Sequence, residues 1–123
     1  MAFFRYALLV ITFFLHAFPT HADPAVVEEV TLQERSGSWT VSVTISHGDT
    51  GWDDYADGWR VETEDGAVLG TRVLHHPHVE EQPFTRSLSG VALSDGIAQV
   101  MIRTSTNSDG WAAASEGPYF LPD

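Results

Sequence analysis

Apolar and polar residues alternate along most of the chain after residue 23, and this pattern predicts a series of short β-strands. From Trp39 to Ile45 the odd-numbered side chains are apolar and the even-numbered ones are Thr or Ser, as in a strand with one buried and one solvated face. Trp59 and Val61 take the buried phase of the next strand, and Arg60 and Glu62 take its solvated phase. No segment shows a sustained helical period.

Seven predicted strands follow in order, separated by turn signals such as the Asp-Gly pairs at 65–66 and 95–96. They are A (26–33), B (38–46), C (58–64), C′ (67–74), E (84–89), F (97–104) and G (118–121). This spacing is typical of an antiparallel β-sandwich of the immunoglobulin or fibronectin-III kind; a small β-barrel is the alternative. The sequence from 84 to 104 resembles the E–F strand pair of fibronectin-III domains, although it lacks their corner tyrosine. We expect residues 23–123 to form a single domain of this class.

The first 22 residues have the pattern of a secretory signal peptide. Arg5 precedes an apolar run at 7–15, Pro19 follows and breaks the segment, and Thr20 and Ala22 are small residues three and one positions before Asp23. The run is shorter than the roughly 20 residues that a membrane-spanning helix needs. We therefore expect cleavage after Ala22, no membrane span in the processed chain, and a periplasmic or secreted protein. No Cys follows this point, so we expect no lipid anchor there.

Charge and composition exclude several kinds of function. The chain has six Arg, no Lys, no Cys and 17 acidic residues, for a net charge of −11, and residues 23–123 carry −12 because five Arg face 17 acids. No basic patch for nucleic acid can be assembled from so few cations. Disulfides, thiolate nucleophiles and Schiff-base lysines are also excluded.

The unusual residues of the chain fall in three loops. In the predicted sandwich the B–C, C′–E and F–G connections meet at one end; we call this end the loop pole and define it by residues 47–57, 75–82 and 107–111. All four histidines after residue 22 and five of the nine aspartates lie there. The sequence therefore predicts a functional site at the loop pole.

A divalent transition metal is the first interpretation of this site, since imidazole and carboxylate ligands suit zinc or copper(II). Its candidate ligands are His47, His76 and His78, with His75 as a substitute and Asp49 or Asp54 as an oxygen ligand. The alternative without a metal is a polar loop whose imidazoles form hydrogen bonds to the backbone. The Asp-rich loop does not have the spacing of a calcium-binding EF-hand. A metal-dependent hydrolase is the third interpretation, and we assign no catalytic residue and no organic cofactor.

A protein- or glycan-binding surface is the second interpretation, because aromatic rings interleaved with carboxylates suit such partners. Trp39 and Trp59 fit the buried phase of their strands and are expected in the core. The alternation does not explain Trp52 and Trp111. The alternative to a binding role is that both side chains pack within the loops. The candidate surface comprises Trp52, Asp53, Tyr55, Asp57, Glu81, Asp109 and Trp111. Carboxylates beside the histidines also predict that some imidazole pKa values lie above the usual value of about 6.5.

Two segments, GWDDYADGWRV (51–61) and LGTRVLHHPHVEEQPFTRSLSGV (69–91), resemble a group of small exported proteins of proteobacteria. That group shares a GW-x-x-YAD-x-W motif followed by LG-x-RVL-x-HPH-x-x-EQPFTRSL. The resemblance implies a small exported β domain and implies no activity. Members often carry His where this chain has Asp54 and His near Asp109, so this chain departs from the group at two candidate ligand positions.

Overall fold

Eight β-strands form the framework of the computed structural model, which describes residue 11 and residues 23–123. The predicted signal peptide, residues 1–22, lies outside the described residues except for residue 11. The strands are β1 Val26–Arg35, β2 Ser38–Ser46, β3 Ala56–Glu62, β4 Val68–Val73, β5 Phe84–Val91, β6 Gln99–Thr106, β7 Gly110–Trp111 and β8 Glu116–Phe120.

Two antiparallel sheets face each other, which confirms the predicted sandwich. One sheet has the order β1-β2-β5, and the other has the order β4-β3-β6, with β7 and β8 both paired to β6. The predicted strands A, B and E thus share one sheet, and C′, C, F and G share the other. Predicted strand G corresponds to β8, and the short strand β7 was not predicted: Gly110 and Trp111 pair back onto Thr106 and Ser105 before the chain returns to β6 at Glu116.

The core lies between the sheets and is built from the apolar phase of the strands. Val41, Val43 and Ile45 of β2 oppose Trp59 and Val61 of β3 in one cluster of buried side chains. Burial of each such side chain contributes roughly 1.5–3 kcal/mol, enough together to order a chain without disulfides. Trp59 is a core residue as predicted, whereas Trp39 is partly buried at the margin of the cluster.

Glu62 departs from the alternation. It occupies the predicted solvated phase of β3, yet it is 1% exposed. Arg103 Nε lies 2.8 Å and Arg60 Nε 2.5 Å from its carboxylate. These two arginines cover it on the outer face of the five-stranded sheet, so the expectation of a solvated Glu62 is wrong.

The ends of β2, β3 and β6 carry the loop pole. The β2–β3 connection folds back on itself, since Thr50 N donates to Asp54 O and Gly51 bridges to Asp54. β3 begins at Ala56, two residues before the predicted start, and a bulge lies between Ala56 and Gly58. In the part of the chain that the structure describes, no helix is long and apolar enough to cross a membrane.

Candidate functional site

The three loops of the loop pole meet and are hydrogen-bonded to one another. The backbone N–H of His78 donates to Asp49 Oδ2, which joins the 75–82 loop to the 47–57 loop. The N–H of Asn107 donates to Tyr55 O, and Ser108 Oγ lies 3.0 Å from Asp54 Oδ1. The loop pole is therefore one connected surface.

Asp49 is the centre of this connection. Its side chain is fully buried, and its Oδ1 lies 2.6 Å from His47 Nδ1 and accepts from Ala56 N at 3.0 Å. Its Oδ2 accepts from His78 N at 2.8 Å. A buried carboxylate is tolerated only when donors satisfy it, and here two of the three donors are backbone groups.

His47 uses both ring nitrogens in contacts with acceptors. Nδ1 faces the Asp49 carboxylate, and Nε2 lies 3.0 Å from the carbonyl oxygen of Asp23. Its backbone N–H donates to Gln82 Oε1, and Gln82 Nε2 donates in turn to His78 O. A metal ion at either nitrogen would displace one of these contacts.

His78 is buried in a different environment. Its ring stacks on Phe84, with centroids 3.9 Å apart and planes 13° apart. Nε2 lies 2.9 Å from Arg86 Nη2, and Nδ1 is buried without a hydrogen-bond partner among the described residues. Burial, the Arg86 charge and His76 lower the pKa of His78 below its usual value, against the opposing charges of Glu81 and Asp49. The rise in imidazole pKa that the sequence predicts for some of the histidines therefore does not occur at His78, although carboxylates lie near it.

The remaining candidate ligands are more open. His75 and His76 are exposed, and the His76 ring lies 4.6 Å from that of His78 at a tilt of 36°. Asp54 Oδ1 is 3.7 Å from His47 Nε2. Within residues 23–123 no group of three or more His, Asp or Glu side chains is placed to hold a metal ion, and the metal interpretation stays a prediction.

Trp52 is the most exposed aromatic side chain of the loop pole. Its side chain is 65% exposed and meets Tyr55 edge-on, with ring centroids 5.5 Å apart. Asn107 fixes the turn beneath it, because Asn107 Nδ2 donates to Trp52 O and Tyr55 N donates to Asn107 Oδ1, both at 2.8 Å. Trp52 does not pack into the loops, so it projects from a backbone that is held in place.

Trp111 belongs to a different surface. It is 40% exposed and lies on the outer face of the five-stranded sheet, where its ring edge is 3.7 Å from the position of a Cβ on Gly58. The guanidinium carbon of Arg60 lies 4.3 Å from its ring centroid. Trp111 therefore extends the Arg60–Glu62–Arg103 cluster.

The carboxylates that were predicted to belong to the binding surface differ in their exposure. Asp53, Glu81 and Asp109 are exposed, whereas Asp57 is half-buried within β3 and not in the loop. Two residues that hold the site, Gln82 and Asn107, have no role that was predicted from the sequence. Their roles depend on contacts between loops distant in sequence, for which a single sequence carries no signal.

Comparison with known proteins finds a relative in Halomicrobium mukohataei that is described as a putative lipoprotein. The two are 42% identical over 88 residues, a region that covers 71% of this chain and 43% of the relative. The chain thus spans less than half the length of this curated relative. No family model matches the chain, and no solved structure matches it.

Proposed function

We propose that this chain is an exported binding domain that recognises a basic segment of another protein through the loop pole. Export is supported by the signal-peptide pattern of residues 1–22 and by the similarity to a protein described as a putative lipoprotein. The domain supplies a rigid frame, and the loops supply the contacts, as in other sandwich domains.

The exposure of Trp52 is the observation that carries the proposal. A tryptophan that is 65% exposed on a hydrogen-bonded turn leaves a large apolar surface in water. Such a ring loses little conformational entropy on binding, because the turn beneath it is already ordered. Tryptophan is also enriched among the residues that dominate binding energy at protein interfaces.

The charge around Trp52 selects a basic partner. The adjacent Asp53 is exposed, as are Glu81 and Asp109 in the two neighbouring loops, and the chain as a whole carries a net charge of −11. Lysine or arginine can lie on the face of an indole ring and bond to a neighbouring carboxylate. The negative field also accelerates encounter with a cationic partner.

Selection from a displayed random-peptide library against residues 23–123 tests this proposal. We expect enriched peptides to carry Lys or Arg, to bind more weakly as salt is raised, and to lose about tenfold in affinity to Trp52→Ala. Phe120→Ala, which removes another exposed aromatic ring, is the matched control and leaves affinity unchanged.

Enriched peptides that bind Trp52→Ala as tightly as the wild type would overturn the proposal, as would enrichment without basic residues. A glycan array probed with the same proteins separates the other partner class. Glycan binding that requires Trp52, in the absence of peptide binding, would show that the loop pole recognises a sugar and not a basic protein segment.

A zinc or copper(II) site is a second candidate, favoured by one observation. His78 Nδ1 is buried without a partner in the described residues, and the exposed His76 ring lies 4.6 Å from the His78 ring. If these imidazoles bind the metal, excess zinc or copper(II) raises the melting temperature of the wild type and not of His76→Ala. An unchanged wild-type melting temperature would exclude the site.

A further inference from the structure

An apolar cleft of about 740 Å³ opens on one side of the sandwich, and neither Trp52 nor Tyr55 lines it. Residues 24–26, at the start of β1, form one wall, and residues 109–116, which include β7, form the other. Thr104 and Thr106 of β6 lie between the walls. The three consecutive alanines at 112–114 leave room along the second wall.

One charged group bridges the walls of this cleft. The two carboxylate oxygens of Glu116 lie 3.1 and 3.2 Å from the backbone nitrogen of Val27, which donates to them. In residues 23–123 no arginine or histidine nitrogen lies within 4.0 Å of this carboxylate. Burial raises the pKa of Glu116, the Val27 N–H lowers it, and the nearby Glu28 charge raises it further. The carboxylate is thus half-buried beside a second acid with one neutral donor.

We propose that this cleft binds a small amphiphilic cation, with its apolar body along the alanine wall and its ammonium group on Glu116. The volume lies in the range of roughly 300–1,000 Å³ that small-molecule sites occupy. A cation would supply the counter-charge that residues 23–123 do not provide, in an environment where a charge-assisted hydrogen bond is strong. Glu116 and Asp109, which also lines the cleft, disfavour an anion. Asp109 belongs to both surfaces, but Glu116 lies outside the loop pole, so a loss of binding in Glu116→Gln distinguishes this site from the loop-pole proposal.

Three probes of equal chain length test the site on residues 23–123, namely octylammonium, octanol and octanoate, each titrated by calorimetry and by amide NMR. We expect octylammonium to bind about tenfold more tightly than octanol, since a hydrogen bond to a charged group contributes roughly that factor. Octanoate should bind most weakly. The amide shifts should concentrate at residues 112–116.

Glu116→Gln keeps an acceptor for Val27 N and removes the charge, so it should reduce octylammonium binding to the level of octanol. Glu64→Gln, an exposed acid in the turn between β3 and β4, makes the same change in net charge and should leave binding unchanged. Equal binding of octylammonium and octanol to the wild type would overturn the proposal without any variant. Amide shifts at Trp52 and Asp53 in place of residues 112–116 would overturn it as well.

Discussion

Two buried carboxylates, Asp49 and Glu62, hold different parts of the molecule by different means. Asp49 lies in the loop pole and is bonded by His47 and by the backbone N–H groups of Ala56 and His78. Glu62 lies on the outer face of the five-stranded sheet and is bonded by the flexible side chains of two arginines. Both carboxylates are at most 1% exposed.

The difference lies in what remains when the carboxylate is removed. The donors around Asp49 include two backbone groups that cannot turn toward water without opening the loops. The side chains of Arg60 and Arg103 are 23% and 19% exposed, so their guanidinium groups can regain water. Asp49 thus fixes the geometry of the site, whereas Glu62 stabilises and covers one sheet.

Replacing Asp49 should have the largest effect on stability. Asp49→Ala leaves an imidazole and two backbone N–H groups buried without an acceptor, and we expect a loss of about 3–5 kcal/mol in the free energy of unfolding. Urea denaturation measures this loss. Asp49→Asn keeps the shape and one acceptor oxygen and should lose about half as much. A loss below about 1 kcal/mol for Asp49→Ala would show that the loops do not depend on this residue.

Glu62→Ala should reduce the free energy of unfolding by less, about 1–3 kcal/mol, and should leave the amide NMR signals of the loop pole in place. Burial by itself would raise the pKa of Glu62, but the hydrogen bonds and charges of Arg103 and Arg60 outweigh it and lower the pKa below its usual 4.5. Its contribution to stability is therefore present above pH 4.5 and is lost as pH falls through the lowered pKa. Glu62→Gln should flatten this part of the acid unfolding curve, and an unchanged curve would contradict the arginine clamp.

Asn107→Ala should reduce stability by about 1 kcal/mol, because it removes two hydrogen bonds in a solvent-exposed loop. Its larger effect should be on Trp52, whose contribution to the fluorescence anisotropy of the four tryptophans falls when the turn beneath it loosens; the difference from Trp52→Phe isolates that contribution. Asn107→Asp retains the acceptor for Tyr55 N and loses the donor to Trp52 O, so it should give an intermediate anisotropy. Wild-type anisotropy in Asn107→Ala would mean that another contact holds the turn.

The smallest expected effect concerns the charge of His78. Because burial, Arg86 and His76 lower its pKa below 6.5, the folded protein resists protonation of this ring. The resulting stability is present above pH 6.5 and is lost as pH falls through the lowered pKa. NMR titration should place the His78 transition below 6.5, and His78→Phe, which keeps a ring against Phe84, should reduce the change in melting temperature over this range. A His78 transition above 6.5 would contradict the Arg86 contact.

Much of the fold could be predicted from the sequence, because local alternation reports which side of each strand faces the core. Strand B coincides with β2, and C′ differs from β4 by one residue at each end. The start of β3 at Ala56 was missed, since a bulge interrupts the alternation there. β7 was missed because a pair of residues is too short to show a period.

The contents of the site were less predictable than its position. The meeting of three loops follows from the sandwich, but the state of each side chain depends on partners distant in sequence. His47 and His78 are buried by Asp49 and Phe84, while His75 and His76, in the same loop as His78, are exposed. The burial of Glu62 likewise depends on Arg103, 41 residues away in the chain.

Amide hydrogen exchange at Ala56 and His78 tests most directly whether Asp49 holds the loop pole in one arrangement. We expect both amides to be protected in the wild type, Asp49→Asn, which keeps a single acceptor oxygen, to expose at least one of them to fast exchange, and core amides such as those of Val61 and Ile102 to stay protected. If the His78 amide of the wild type exchanges as fast as that of the exposed Glu80 in the same loop, then Asp49 does not fix the site.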